Sequence, residues 1–327
     1  MKTLNLNKII LLTTLFFAAI VFSNSANALC VVNGDGAIIT VSGDSETPVK
    51  DDTGDDETAA NTATNQCTIT PDVYKLNIYK FGLCTADPDL NDLSSCQLFF
   101  DQTAGVEVDI QAGVSATLPI PEFYIEPGTY PYLYVLLSSK LGMKWSGTFS
   151  NAVDGSSGDG NGGTYCWSSN AGGRASSYPE DTNEAAFTTA HGLSLAGSVK
   201  TMDCGTAEGT VVTTYELLTK FSEEYCSALA ANGDKSTFAI EGTGSTRGIP
   251  TVSLLTTADA FATTCANAAK IAWTTALSSP YDVTENSTFA MSIKATAANS
   301  LEFSDGDDNN ILFMGSGAPR IYLTVTN

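Results

Sequence analysis

The sequence predicts a mainly β protein: an antiparallel β-sandwich, Ig-like or jelly-roll-like, with one or two short helices and disulfide support. Three observations predict it. Apolar side chains alternate with polar ones at two-residue spacing in segment after segment. Gly, Pro, Asn and Asp punctuate those segments. All eight cysteines lie beyond an N-terminal leader of the export kind, which selects disulfides over free thiols.

Residues 1–28 read as that leader, a signal peptide. Lys2 and Lys8 form a basic region, Ile9 to Phe22 is apolar apart from Thr13 and Thr14, and Ala26-Asn27-Ala28 offers an A-x-A cleavage site. The apolar run is too short for a membrane span, and no later stretch is long enough for one. Leu29 precedes Cys30 where lipidation needs a small residue, so Cys30 is read as a disulfide partner. Cleavage after Ala28 leaves 299 residues, with 13 basic against 36 acidic side chains and a net charge of −23. Such a surface repels nucleic acid, because phosphates need cations. The expected compartment is extracellular or the cell surface, with the periplasm as the alternative, and no membrane insertion after signal cleavage.

Beyond the leader the organisation is read in four parts. Residues 29–70 hold an N-terminal strand over 29–41, with Ala37, Ile39 and Val41 alternating, and an acidic Ser/Thr/Gly/Asp stretch over 42–66 that has almost nothing to bury. Residues 71–150 form a first part of the sandwich. Tyr74, Leu76 and Ile78 share one face, then Val106, Val108 and Ile110, then Met143, Trp145 and Phe149. Residues 151–190 are a Gly/Ser-rich loop region framing Tyr165-Cys166-Trp167. Residues 191–327 form the second part. Leu217, Leu218, Phe221, Tyr225 and Leu229 recur at helical spacing, which predicts a helix over 214–231 stopped by Asn232-Gly233. Residues 257–270 are rich in Ala and Thr and suit a short second helix. Phe289, Met291 and Ile293, then Ile321, Leu323 and Val325, return to strand spacing.

Eight cysteines allow 105 pairings. Near-neighbour closure selects Cys84–Cys96, across the turn-rich loop 85–95, together with Cys30–Cys67, Cys166–Cys204 and Cys226–Cys265. Zinc is the competing reading; it lacks a Cys-x-x-Cys pair, and His191 is the one histidine.

Calcium is the small ligand the sequence suggests. Asp305, Asp307 and Asp308, with Asn309 and Asn310, gather oxygen donors in six residues between two strand patterns. Asp154, Asp159 and Asn161 do so more loosely in a Gly/Ser loop. Neither has EF-hand spacing, and a solvated acidic turn is the plainer reading of both. Asn286-Ser287-Thr288 is a glycosylation sequon, read as unmodified because the leader has a bacterial style. Tyr130, Tyr132, Tyr134 and Trp145 suit sugar stacking or a core face, and core is the expectation.

No nucleophile elbow, zinc-protease helix or phosphate loop occurs in the chain. Asp52-Thr53-Gly54 copies an aspartic-protease tripeptide but has charged neighbours where that motif has an apolar strand. The expected function is therefore a secreted or cell-surface, non-catalytic structural or adhesive protein, with self-assembly by strand exchange as the sharper form of that reading. The alternative is a calcium-assisted carbohydrate-binding module for surface glycans. A secreted glycoside hydrolase using two carboxylates is the second alternative.

Overall fold

The computed structural model describes residues 29–40, 66–88, 92–114, 116–117, 124–155, 162–169, 174–175, 201–217, 220–221, 224–225, 236–237, 247–262, 265–294, 301–305, 312–316 and 320–326. The leader, the acidic stretch 42–65, Asp52-Thr53-Gly54 and His191 lie outside them. Among these residues the chain forms β1 (Gln66–Ile69), β2 (Val73–Cys84), β3 (Cys96–Gln111), β4 (Ala116–Thr117), β5 (Gly128–Ser138), β6 (Lys140–Lys144), β7 (Ser146–Val153) and β8 (Gly163–Ser168). It continues with β9 (Arg174–Ala175), β10 (Met202–Gly205), β11 (Thr214–Leu217), β12 (Lys220–Phe221), β13 (Glu224–Tyr225) and β14 (Ser236–Thr237). Last come β15 (Arg247–Leu255), β16 (Lys270–Val283), β17 (Thr288–Lys294), β18 (Leu301–Asp305), β19 (Leu312–Ser316) and β20 (Arg320–Thr326). The fold is mainly β, antiparallel, sandwich-like and fastened by disulfides.

One large sheet runs in the order β14-β15-β16-β5-β2-β6-β11-β9, with β3 along the other edge of β2. Strands from both sides of the Gly/Ser-rich stretch therefore share it. β5 and β6 behave as one strand broken at Ser139: β5 pairs with Ile78–Cys84 of β2, and β6 pairs with Val73–Lys75. At the break, buried Ser139 donates its N–H to the Ala269 carbonyl and its hydroxyl to the Ala268 carbonyl.

Alternation explains the packing, and a bulge explains where it slips. Tyr74, Leu76 and Ile78 are buried in the main core, as their spacing predicts. Ile78 pairs with Leu137 but Lys80 pairs with Leu136, so Tyr79 is an extra residue. The phase flips there, and Phe81 and Leu83 enter the same core at odd positions. In β5, Leu133, Val135 and Leu137 face this core, while Tyr134 and Leu136 join a second cluster with Leu255 and Ala272 on the opposite face. The large sheet is thus covered on both faces. Two smaller sheets, β1-β18-β19 and β10-β8-β7, contribute Phe303, Met314, Phe149 and Met202 to the main core. Trp145, Phe149 and Phe303 meet edge to face there, with centroids 4.7 to 6.0 Å apart.

Three expectations need correction. The helix over 214–231 is not formed at residues 214–217, 220–221 and 224–225, which are strands. Val211-Val212-Thr213-Thr214 favours extended backbone, and pairing of β11 with β6 buries Thr214, Glu216 and Leu217, so tertiary pairing overrides the helical spacing. Residues 226–231 lie outside the described residues. The second helix is reduced to one 3-10 turn at Cys265–Asn267. The strand over 29–41 is instead bent into two short arms. Asn33-Gly34-Asp35-Gly36 turns the chain: the Asn33 side-chain oxygen accepts the N–H groups of Asp35 and Ala37, and Gly36 sits at φ 83°. Ala37 is buried as its place in the pattern predicts, but Ile38 and Thr40 are buried as well while Ile39 is only partly covered, so the expected alternation fails after Ala37.

Candidate functional site

The two acidic segments singled out in the sequence lie about 150 residues apart along the chain. The fold places their bases side by side. The β7–β8 hairpin closes at the pair Val153–Gly163, and the β18–β19 hairpin closes at Asp305–Leu312. The Leu312 N–H donates to the Asp154 carbonyl at 3.1 Å, joining one base to the other. Glycine lets the β7–β8 base close tightly on itself and on β10. A Cβ at Gly155 would overlap the Met202 carbonyl, one at Gly163 the Gly205 carbonyl, and one at Gly162 the Asp154 Oδ1. Asp203 of β10 borders Gly155, with its own carboxylate accepting the Cys204 N–H at 3.0 Å.

This end of the molecule therefore gathers Asp154, Asp203 and the strand-end Asp305. Asp159, Asn161, Asp307, Asp308, Asn309 and Asn310 lie outside the described residues, as does the side chain of Asp305. Among the described residues no three His, Cys, Asp or Glu side chains lie close enough to hold an ion together. Tyr165 stands two residues from Gly163 on β8 and is 42% exposed, so an uncovered aromatic ring borders the acidic end. Tyr165 is not among the aromatics that the sequence suggests for stacking, and those are mostly interior. Tyr130, Tyr134 and Trp145 are buried, and the Tyr130 hydroxyl donates to the Glu126 carbonyl at 2.7 Å.

Among the described residues three disulfides form: Cys30–Cys67, Cys84–Cys96 and Cys166–Cys204, three of the four pairs that near-neighbour closure selects. Two of them lie directly across ladders, Cys84 opposite Cys96 on β2 and β3, and Cys166 opposite Cys204 on β8 and β10. Cys226 lies outside the described residues, and so does the expected pair Cys226–Cys265. Three disulfides suit an oxidising compartment. No helix among the described residues is long and apolar enough to cross a membrane.

Two polar constellations escaped the sequence reading. On the outer face of the large sheet, the Asp259 carboxylate takes Lys270 Nζ at 2.7 Å and Lys80 Nζ at 2.8 Å. Lys270 also donates to the Thr257 carbonyl and lies 4.4 Å from the Tyr79 ring centroid. Burial works against the Asp259 charge, but the lysine hydrogen bonds outweigh it and hold the carboxyl below its ordinary range. Burial, reinforced by Asp259, pushes the Tyr79 and Tyr134 phenols up. Two hydrogen bonds from Lys270 Nζ reach Thr257 and Asp259, so the cluster fastens loop 256–261 to the sheet. Inside the molecule, the buried Glu216 carboxylate accepts both the N–H and the hydroxyl of Ser316, joining β11 to β19. No local motif marks either set, because Lys80 and Asp259 are 179 residues apart, Glu216 and Ser316 are 100 apart, and Asp259 itself stands in a turn with no distinctive sequence.

Comparison of the chain with family models, with curated proteins and with solved structures gives no match.

Proposed function

We propose that the chain is an exported, non-catalytic protein of the structural or adhesive class that makes contact through its acidic end. The observation that carries this reading is the hydrogen bond from Leu312 N–H to the Asp154 carbonyl, which joins the ends of β7 and β19 next to which the two acidic segments stand in the sequence. A shell with both faces of its main sheet buried and three internal disulfides is suited to holding that end in a harsh exterior. The test is retention of purified, labelled protein on the surface of the cells that export it. Retention should fall when Asp154, Asp305, Asp307 and Asp308 are replaced together by asparagine. Equal retention of both proteins, or turnover of a polysaccharide by the purified chain, overturns the reading.

A second reading has an observation of its own. Tyr165 offers an exposed ring beside the acidic end, the arrangement a calcium-assisted carbohydrate-binding module would use, with calcium on the carboxylates and a sugar face on the ring. Glycan binding that is abolished both by chelator and by Tyr165→Ala selects this reading over general adhesion.

A further inference from the structure

The N-terminal segment is joined to its seat in an unusual way. Ile38 lies parallel to Phe149 at the free edge of β7. Its N–H donates to the Thr148 carbonyl, and its carbonyl accepts the Ser150 N–H, both at 2.8 Å. The Ile38 side chain is 1% exposed and belongs to the main core. Two residues on, Thr40 is enclosed by Ser150 and Asn151. Its N–H reaches the Ser150 hydroxyl at 2.9 Å, and the Asn151 amide reaches its carbonyl at 2.8 Å. At the other end of the segment, Cys30 N–H donates to the Thr68 carbonyl of β1 at 2.9 Å. The segment is a bent pair of short arms: the second lies along the edge of β7 and sends Ile38 into the core, the first lies against β1, and each is held by groups of the main body.

Only two covalent connections tie this segment to its own body. One is residues 41–65, 25 residues of mostly small and acidic types. Fully extended, a chain of that length spans roughly 80–90 Å, ample to reach a neighbouring molecule. The other is Cys30–Cys67. Every remaining contact is made equally well by residues 29–40 of another copy. We propose that residues 29–40 are an exchangeable element: the β7 seat accepts the segment of a second copy, and Cys30–Cys67 then seals whichever arrangement formed first. This deepens the self-assembling form of the structural reading and rests on it.

The chemistry of the seal is a thiol–disulfide exchange. The Cys30 and Cys67 thiols lose two protons and two electrons, and an external disulfide, such as oxidised glutathione, takes them up and leaves as two thiols. Because Cys30 sits on β1 beside Cys67, it bonds to the body in which the segment is seated. A closed molecule yields an intrachain bond, and an exchanged pair yields interchain bonds. Closure competes with exchange at an effective concentration set by the 25-residue length of the connection, about the millimolar range, so crowding before oxidation favours exchange.

The test reduces a mixture of unlabelled and nitrogen-15 chains, then reoxidises it with a glutathione pair at concentrations from about 1 μM to about 1 mM, the range that brackets that effective concentration. Cleavage after Lys50 and Lys75 separates the Cys30 and Cys67 peptides. The expected result is mixed-isotope Cys30–Cys67 peptides that rise at least tenfold across the range, together with particles of twice the monomer mass. Unmixed peptides alone at the highest concentration overturn the proposal. So do mixed peptides that persist undiminished in Ile38→Asp, because cross-linking would then proceed without the seat. Exchange and adhesion also fail separately. Loss of mixing in a protein that still adheres removes exchange alone, and mixing in a protein that does not adhere removes the adhesive reading alone.

Discussion

The block built from β2, β5 and β16 and the N-terminal segment 29–40 both bury aliphatic side chains almost completely, yet they are held in different ways. In the block, Phe81 has ladder partners on both flanks, Phe100 on β3 and Val135 on β5, and stacks on Phe99 with centroids 4.9 Å apart. In the segment, Ile38 has the main body on one flank only, Phe149 of β7, with the segment's own Val32 on the other, and beyond these a handful of polar contacts and a disulfide eight residues away. The first region is redundant and the second depends on a few groups. Stability in the block should be shared and global; in the segment it should be local and switchable.

The largest effect expected is in the block. Phe81→Ala removes a fully buried ring that its neighbours cannot replace, for about 3–5 kcal/mol of global stability. Denaturant unfolding should show a lower midpoint with one transition. A loss confined to hydrogen exchange near Phe81, with the global midpoint unchanged, would erase the contrast between the two regions.

Next comes removal of the Cys30–Cys67 bond by paired serine substitution. The chain-entropy model assigns about 4 kcal/mol to a closed loop of this size. The loss should show as early exchange of the amides of Ile38 and Ile39, which donate to Thr148 and Val31, ahead of those in β2. Simultaneous exchange of both regions would mean that the segment is as integral as the block.

Paired serine substitution at Cys84 and Cys96 should cost less, about 3 kcal/mol, since the loop is shorter. The ladder on either side of the hairpin stays in place, so β2 amides should remain the slowest to exchange. Early loss of β2 protection in this variant would show that the block leans on its disulfide as the segment does on its own.

The same contrast governs what the sequence disclosed. Tyr74, Leu76 and Ile78 were legible because a half-buried strand must alternate, and near-neighbour cysteines were legible because short closures are geometrically easy. The Tyr79 bulge was not legible, since one extra residue leaves no compositional trace and is set by the register of β5. The helical spacing of Leu217, Phe221 and Tyr225 misled because partners on β6 and β19 decide that segment. Asn33-Gly34-Asp35-Gly36 did carry a turn signal; the alternation of Ala37, Ile39 and Val41 obscured it. The acidic hairpins were found singly, but their meeting at Asp154 and Leu312 is a property of the fold alone.

The smallest effect expected lies on the outer face of the block, at Asp259, and it separates charge from conformation. Asp259 sits at φ 62°, a left-handed backbone that asparagine also tolerates. Asp259→Asn therefore removes the charge with little change in backbone preference. The carboxyl lies below its ordinary range because Lys270 and Lys80 donate to it, although burial opposes them. A depressed folded value means that the charged form is favoured by folding. Its contribution is full above the unfolded value of about 4 and is lost as the pH falls through the lower folded value. The side chain is 32% exposed, so solvent screening limits the pair to about 1 kcal/mol. The parent should melt above Asp259→Asn by a constant margin from pH 5 to pH 8, and the two should converge toward pH 2. A margin that widens on acidification would reverse the sign, and would mean that the lysines do not hold the carboxylate in its charged form.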